Sequence, residues 1–136
     1  MIRALIAVAA VFAVVAARPA AAQQTAPVGK WLAEDISGGG VVDRLQTTLE
    51  IAETGQVSGS GGCNTYRGTA EFSITAINFA ALTSTKKACA PAAMEQETKF
   101  HKALGEVKAW RIDAGSRKLT LLDAKGTELV RFSPLE

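Results

Sequence analysis

Cysteine and histidine are scarce in this 136-residue chain: two cysteines, Cys63 and Cys89, and one histidine, His101. Cysteines so far apart are not a C-x-x-C redox pair, whose spacing keeps both sulfurs at one helix end and tunes the thiolate. A zinc site can be drawn only from a scattered set, Cys63, Cys89, Glu97 and His101, without a compact ligand pair. If the cysteines are oxidised, that set loses its thiolates. No metal site and no cofactor is expected. The glycines Gly59, Gly61 and Gly62 are not followed by the Gly-Lys-Ser/Thr that opens a helix in a phosphate-binding loop. Beside a half-cystine they permit a bulge or a close approach of strands.

Long apolar runs are also lacking, with one exception. Ala4 to Ala17 is almost purely apolar, but shorter than the roughly 20 residues of a membrane-spanning helix. Arg3 precedes it, Arg18-Pro19 breaks it, and Ala20-Ala21-Ala22 offers an A-x-A cleavage site. Residues 1–22 therefore read as a secretory signal, cut before Gln23. No cysteine lies near the cut, so a lipid anchor is not expected. The product should be periplasmic or secreted, with no stable membrane anchor.

Excess charge is missing too. The full chain carries a formal +2, but Arg3 and Arg18 leave with the signal, giving 13 basic against 13 acidic residues. A neutral domain has no general pull toward nucleic acid or anionic lipid. A mature chain of this size buries roughly two-thirds of its unfolded surface, so one modest core is feasible. Export makes oxidised cysteines the default. A Cys63–Cys89 disulfide should add about 3 kcal/mol in the loop-entropy model.

What remains is mostly alternation. Residues 23–28 are a short, flexible lead. Gly29 to Ile36 reads as a strand anchored by Trp31, followed by a flexible Ser37-Gly38-Gly39-Gly40 loop. Leu45, Thr47, Leu49 and Ile51 share one face of the next strand. After the Glu53-Thr54-Gly55 turn, Gln56 to Ser60 is extended. Tyr66, Gly68, Ala70, Phe72 and Ile74 then alternate with Arg67, Thr69, Glu71 and Ser73. Ile77 and Phe79 mark a short strand. Trp110 and Ile112, Lys118 to Leu122 and Glu128 to Phe132 complete the set, the last two joined by a hairpin with Gly126 at φ > 0.

One stretch departs from this period. Pro91 suits the first position of a helix, and from Ala92 to Leu104 the spacing is helical. Ala93, Phe100 and Leu104 form an apolar stripe, with Val107 as its extension. Glu95 and Lys99 face away in the favourable i,i+4 order. Gly105 is the expected stop. The expected fold is a single α+β domain over 29–134: a curled antiparallel sheet or barrel-like meander of about seven or eight short strands, which limits exposed edges, with one amphipathic helix packed on it.

Few residues invite chemistry. Glu97 falls inside the apolar stripe, where an unpaired carboxylate is costly. It should accept hydrogen bonds from backbone N–H groups of neighbouring loops or pair with a Lys or Arg. It is thus a structural polar anchor, as is Asn64 beside Cys63. His101 sits on the flank of the stripe, where a lone histidine is usually a packing residue. Ser84-Thr85-Lys86-Lys87 matches S-x-x-K but lacks the companion motifs and helix start which that chemistry needs. Arg67, Lys86 and Lys87 form at most a small basic patch.

Taken along the chain, Gly29-Lys30-Trp31-Leu32, Leu49-Glu50-Ile51 and Val57 through Tyr66 with its Gly-Gly-Cys-Asn turn carry a recognisable pattern. It continues through Leu82-Thr83-Ser84-Thr85, Ala88-Cys89, Met94 to Glu97, Phe100, Ala103-Leu104, Leu119-Thr120-Leu121, Gly126 and Phe132. The chain resembles the META domain, also called the HslJ-like family of small bacterial envelope proteins. Lys86-Lys87 departs from it, since members often carry a basic–apolar pair there. The resemblance implies a compact α+β domain, an envelope location and links to heat shock, antibiotic tolerance, secretion or motility. It brings no established enzymatic activity.

The expected function is accordingly that of an exported, non-enzymatic, monomeric envelope module that supports stress tolerance. It would bind a protein or apolar ligand in a groove between sheet and helix, lined by Trp31, Phe79, Phe100 and Trp110. Two alternatives stand beside this. One is an inhibitor or secretion-pilot partner docking through Ser37 to Val42. The other is a small hydrolase using Glu97, His101 or Ser84.

Overall fold

The computed structural model describes residues 6–14 and 25–135. Arg3, Arg18 and the Ala20–Ala22 cleavage site lie outside the described residues. Residues 6–14 carry no helix or strand. No helix among the described residues is long and apolar enough to cross a membrane.

Among the described residues, eight strands and one helix follow in chain order: β1 (Gly29–Ile36), β2 (Thr48–Ile51), β3 (Gln56–Ser60), β4 (Thr65–Phe72), β5 (Ile77–Ser84), α1 (Pro91–Glu106), β6 (Ala109–Ile112), β7 (Leu119–Leu122) and β8 (Glu128–Pro134). They form one antiparallel sheet in the order β5-β4-β3-β2-β1-β8-β7-β6. Two meanders, before and after α1, are joined where β8 pairs with β1. The fold is α+β, a curled sheet with its helix packed on it.

The curl brings the two edge strands together at one end. Ala76 and Ala109 form a bridge pair. The Ile77 amide donates to the Lys108 carbonyl and the Trp110 amide to the Thr75 carbonyl, both at 3.1 Å. The Trp110 indole N–H adds a bond to the Ser73 carbonyl at 2.9 Å. Beyond this join β5 and β6 do not pair. Helix α1, between them in sequence, sets Phe100 edge-on to Tyr66 of β4 and to Phe132 of β8. Burying such rings together is the main apolar contribution of this region.

Strand alternation matches burial where the pleat is regular. In β4, Tyr66 and Ala70 are buried while Arg67, Thr65 and Glu71 are exposed. In β1, Trp31 and Ala33 point inward, and a register shift between Ala33 and Asp35 then places Ile36 inside. The Asp35 carboxylate is left beside the glycine loop, accepting the amides of Gly38 at 2.9 Å and Gly40 at 2.7 Å. That loop is tied down, not loose.

Three boundaries differ from the sequence pattern. β4 ends at Phe72, and Ile74 stands 77% exposed in the following turn. The turn is closed instead by Ser73, whose hydroxyl accepts the Ala76 amide. β5 is a full eight residues, because a register shift opposite Gly68 lets pairing resume at Thr83 and Ser84. Helix α1 runs through Gly105 to Glu106. It stops because Val107 is buried in extended conformation and the Lys108 amide joins the Leu122 carbonyl. Tertiary capture ends this helix, not glycine.

Candidate functional site

Glu97 lies on the buried side of α1, 6% exposed. One of its oxygens, Oε1, accepts the Asn64 backbone amide at 2.7 Å, and Oε2 accepts Asn64 Nδ2–H at 2.8 Å. Of the two partners expected for this carboxylate, loop N–H groups are the ones used. Asn64 is itself 3% exposed. Its Nδ2 also donates to the Lys87 carbonyl, and its Oδ1 accepts the Thr85 hydroxyl at 2.9 Å and the Lys87 amide at 2.6 Å. All the hydrogen-bonding capacity of the side-chain amide is spent. One residue thereby ties the β3–β4 turn, the segment after β5 and the helix.

The approach is close because of glycine. A Cβ on Gly61 would lie 2.7 Å from both Cγ and Oε1 of Glu97, and one on Gly59 would lie 2.3 Å from the Thr48 carbonyl oxygen. Neither position admits a side chain without displacement of its neighbours. Cys63 and Cys89 form a disulfide across the same junction, their Cα atoms 5.9 Å apart. Covalent and hydrogen-bonded ties therefore coincide.

Gln96 repeats the device one residue earlier. Its Oε1 accepts the Val42 amide at 2.6 Å, its Nε2 donates to the Thr47 hydroxyl at 2.9 Å, and Thr47 donates to the Gly61 carbonyl at 2.9 Å. The strand period predicts Thr47 on the inward face, but nothing in it points to a role for either residue in this junction. The available signal was an amide side chain adjoining Glu97 on the helix.

His101 packs its ring edge-on to Tyr66, centroids 5.3 Å apart, and tilted against Phe100. Its Nε2 is buried and has no hydrogen-bond partner among the described residues. Burial pushes its pKa below the ordinary histidine value, and the Glu97 charge opposes this in part. Tyr66 donates its hydroxyl to the Thr48 carbonyl at 2.6 Å, and burial raises its pKa, so the phenol stays protonated.

The hydrolase combination is not assembled. Ser84 is exposed and its hydroxyl donates to the Thr85 carbonyl. That hydroxyl is turned to neither His101 nor Glu97, and both oxygens of Glu97 are held by Asn64. Nucleophilic catalysis needs nucleophile and base within hydrogen-bond reach. The scattered metal set also fails: its cysteines are bonded to each other, and no cluster of three or more His, Cys, Asp or Glu suited to a metal occurs among the described residues.

The aromatic groove is corrected by the structure. Trp31, Phe79, Phe100 and Trp110 are 3%, 9%, 0% and 6% exposed and belong to the continuous core. The space between sheet and helix is filled by these rings. Open space lies elsewhere. An open cleft of about 620 Å³ is lined by Leu82 to Ala88 together with Asn64, Met94 and Glu97. A second, of about 600 Å³, lies beside Glu71 to Ser73 and Lys108. Smaller depressions flank the glycine loop.

A disulfide-stapled sheet of eight antiparallel strands, curled around one helix and tied by a buried carboxylate–amide junction, defines a small α+β module. Residues 24–135 match the family model of the META domain, and the chain belongs to that family. Solved structures share the fold. A protein from Burkholderia xenovorans, determined by NMR, is 21% identical with a TM-score of 0.64, covering 79% of this chain and 81% of its own. Another protein solved by NMR is 24% identical with a TM-score of 0.59, covering 78% of this chain and 88% of its own. A DUF4847-family protein from Bacteroides vulgatus is 20% identical with a TM-score of 0.51, covering 64% and 57%. No curated protein matches the chain.

Proposed function

We propose that this META-domain chain is an exported, non-enzymatic accessory module of the cell envelope that acts by binding and supports stress tolerance. The observation that carries the reading is the commitment of the Glu97 carboxylate to Asn64. The side chain with the best chemical credentials is consumed in holding the fold. The Cys63–Cys89 disulfide supports an oxidising compartment. The signal-like Ala4–Ala17 run and its A-x-A site support export.

Two measurements test it. The purified protein is assayed against broad esterase, peptidase and glycosidase panels beside Ser84→Ala and Glu97→Gln. No turnover is expected. Turnover abolished by either change makes the chain an enzyme and ends this reading. Immobilised protein is also incubated with envelope extract against an unfolded control. Reproducible retention of a component is expected, and no retention counts against a binding role.

A further inference from the structure

We propose that the free end of β5 and its basic rim form the docking site, and that the ligand is an extended acidic polypeptide segment added to the sheet as a further strand. This rests on the reading of the chain as a binding module.

β5 is an edge of the sheet. Its outer side is used only where the two edges join, through Ile77 and the Ala76–Ala109 bridge. From Phe79 to Ser84, no hydrogen bond among the described residues reaches that side. The Thr85 amide donates inward, to Thr65 of β4. By strand alternation, the main-chain groups of Ser84 face outward. Ala81, at φ 53°, bends the strand, and the stretch beyond it from Leu82 to Ser84 is the unpaired edge that can template an incoming strand. The 620 Å³ cleft lies alongside it, with half-buried Leu82 and Met94 offering apolar footing for alternate side chains of a peptide.

Charge decides what kind of strand. Arg67, Lys86 and Lys87 are exposed and enter no ion pair among the described residues. Lys99, Arg111, Lys118 and Arg131 are paired with carboxylates, and other cations without an ion pair among the described residues, such as Lys30, Arg44 and Lys125, do not line the cleft. The one acid lining the cleft, Glu97, is buried and occupied by Asn64. Exposed, uncompensated cations beside an open edge select an anionic partner. The rim is also preorganised, since Lys87 is held at both its amide and its carbonyl by Asn64, two residues from the disulfide. Little ordering remains to oppose binding. No aromatic ring lines the cleft, so the stacking on which single-stranded nucleic acid depends is lacking.

The test is a ¹H–¹⁵N NMR titration of the purified protein with a short acetylated peptide in which glutamate alternates with valine, and with its lysine counterpart. The acidic peptide should shift and protect amides from Leu82 to Ala88, and the lysine peptide should not. Lys86→Glu combined with Lys87→Glu, at exposed positions, should weaken binding about tenfold at low salt. Equal binding of both peptides, shifts confined to another surface, or no effect of the double substitution overturns the proposal. So does concentration-dependent self-association through the same amides, or a preference for phosphatidylglycerol vesicles over the peptide. If the double variant still retains its envelope component, only the docking site falls. If neither peptide nor extract component is retained, the binding-module reading falls with it.

Discussion

Glu97 and Asn64 lie 33 residues apart and meet through two hydrogen bonds, one to the backbone amide and one to the side-chain amide of Asn64. The helix is thereby locked to the turn that carries Cys63. A buried carboxylate in this position is stable only because both oxygens are accepting, and the donors in turn have few alternatives.

Glu97→Ala should destabilise the protein by about 3 kcal/mol, because it leaves two buried N–H donors unpaired and removes a charged acceptor. Glu97→Gln should cost about half as much, since one donor then faces the new amide N–H₂. Urea unfolding monitored by tryptophan fluorescence measures both. A loss under about 0.5 kcal/mol for the alanine variant would show that the junction is dispensable.

Gly61→Ala places a methyl group 2.7 Å from the Glu97 side chain and should cost about 2 kcal/mol. The steric partner is identified by a double-mutant cycle. Combined with Glu97→Ala, the glycine substitution should lose most of its cost, because the atoms it meets are gone. Simple additivity would place the strain elsewhere.

Removing the crosslink by Cys63→Ser with Cys89→Ser should lower stability by about 3 kcal/mol in the loop-entropy model. Intact mass before and after reduction should differ by two hydrogens in the wild type and not at all in the double variant. An unchanged wild-type mass on reduction would show that the thiols are free, and the export argument would lose its main support.

His101 gives stability a pH dependence whose sign follows from burial. The folded-state pKa lies below the ordinary value of 6.5, so the unfolded chain takes up the proton first as pH falls. This contribution is fully present above the unfolded value and is lost as pH drops from there through the folded value. His101→Phe keeps a ring against Tyr66 and should show a smaller drop in urea midpoint between about pH 7.5 and about pH 5 than the wild type. An identical drop would assign the acid sensitivity to other groups.

Most strands were legible because a half-buried strand writes its own period: Tyr66 and Ala70 against Arg67 and Glu71 is a pattern only a two-faced sheet explains. The helix was legible from Pro91 and the Phe100–Leu104 stripe. Its end was not, because Val107 and Lys108 are captured by the core and by β7, and no local residue records that. The aromatic groove failed for a related reason. Composition says that Trp31, Phe79, Phe100 and Trp110 want to be out of water, but not whether a ligand or one another supplies the cover. Glu97 was legible as an anchor because a carboxylate in an apolar stripe demands partners. Which partners were available depended on the turn delivered beside it.

The sequence by itself determined the class of fold, the pairing of its only two cysteines and the need for a polar partner at Glu97, since periodicity, composition and desolvation act locally. Only the tertiary structure decided that the sheet edges join at Ala76 and Ala109, that Asn64 is the hub, and that a cleft opens beside the end of β5. Those outcomes depend on how far eight twisted strands curl before a helix fills the interior. That is a property of the whole sheet, carried by no single segment.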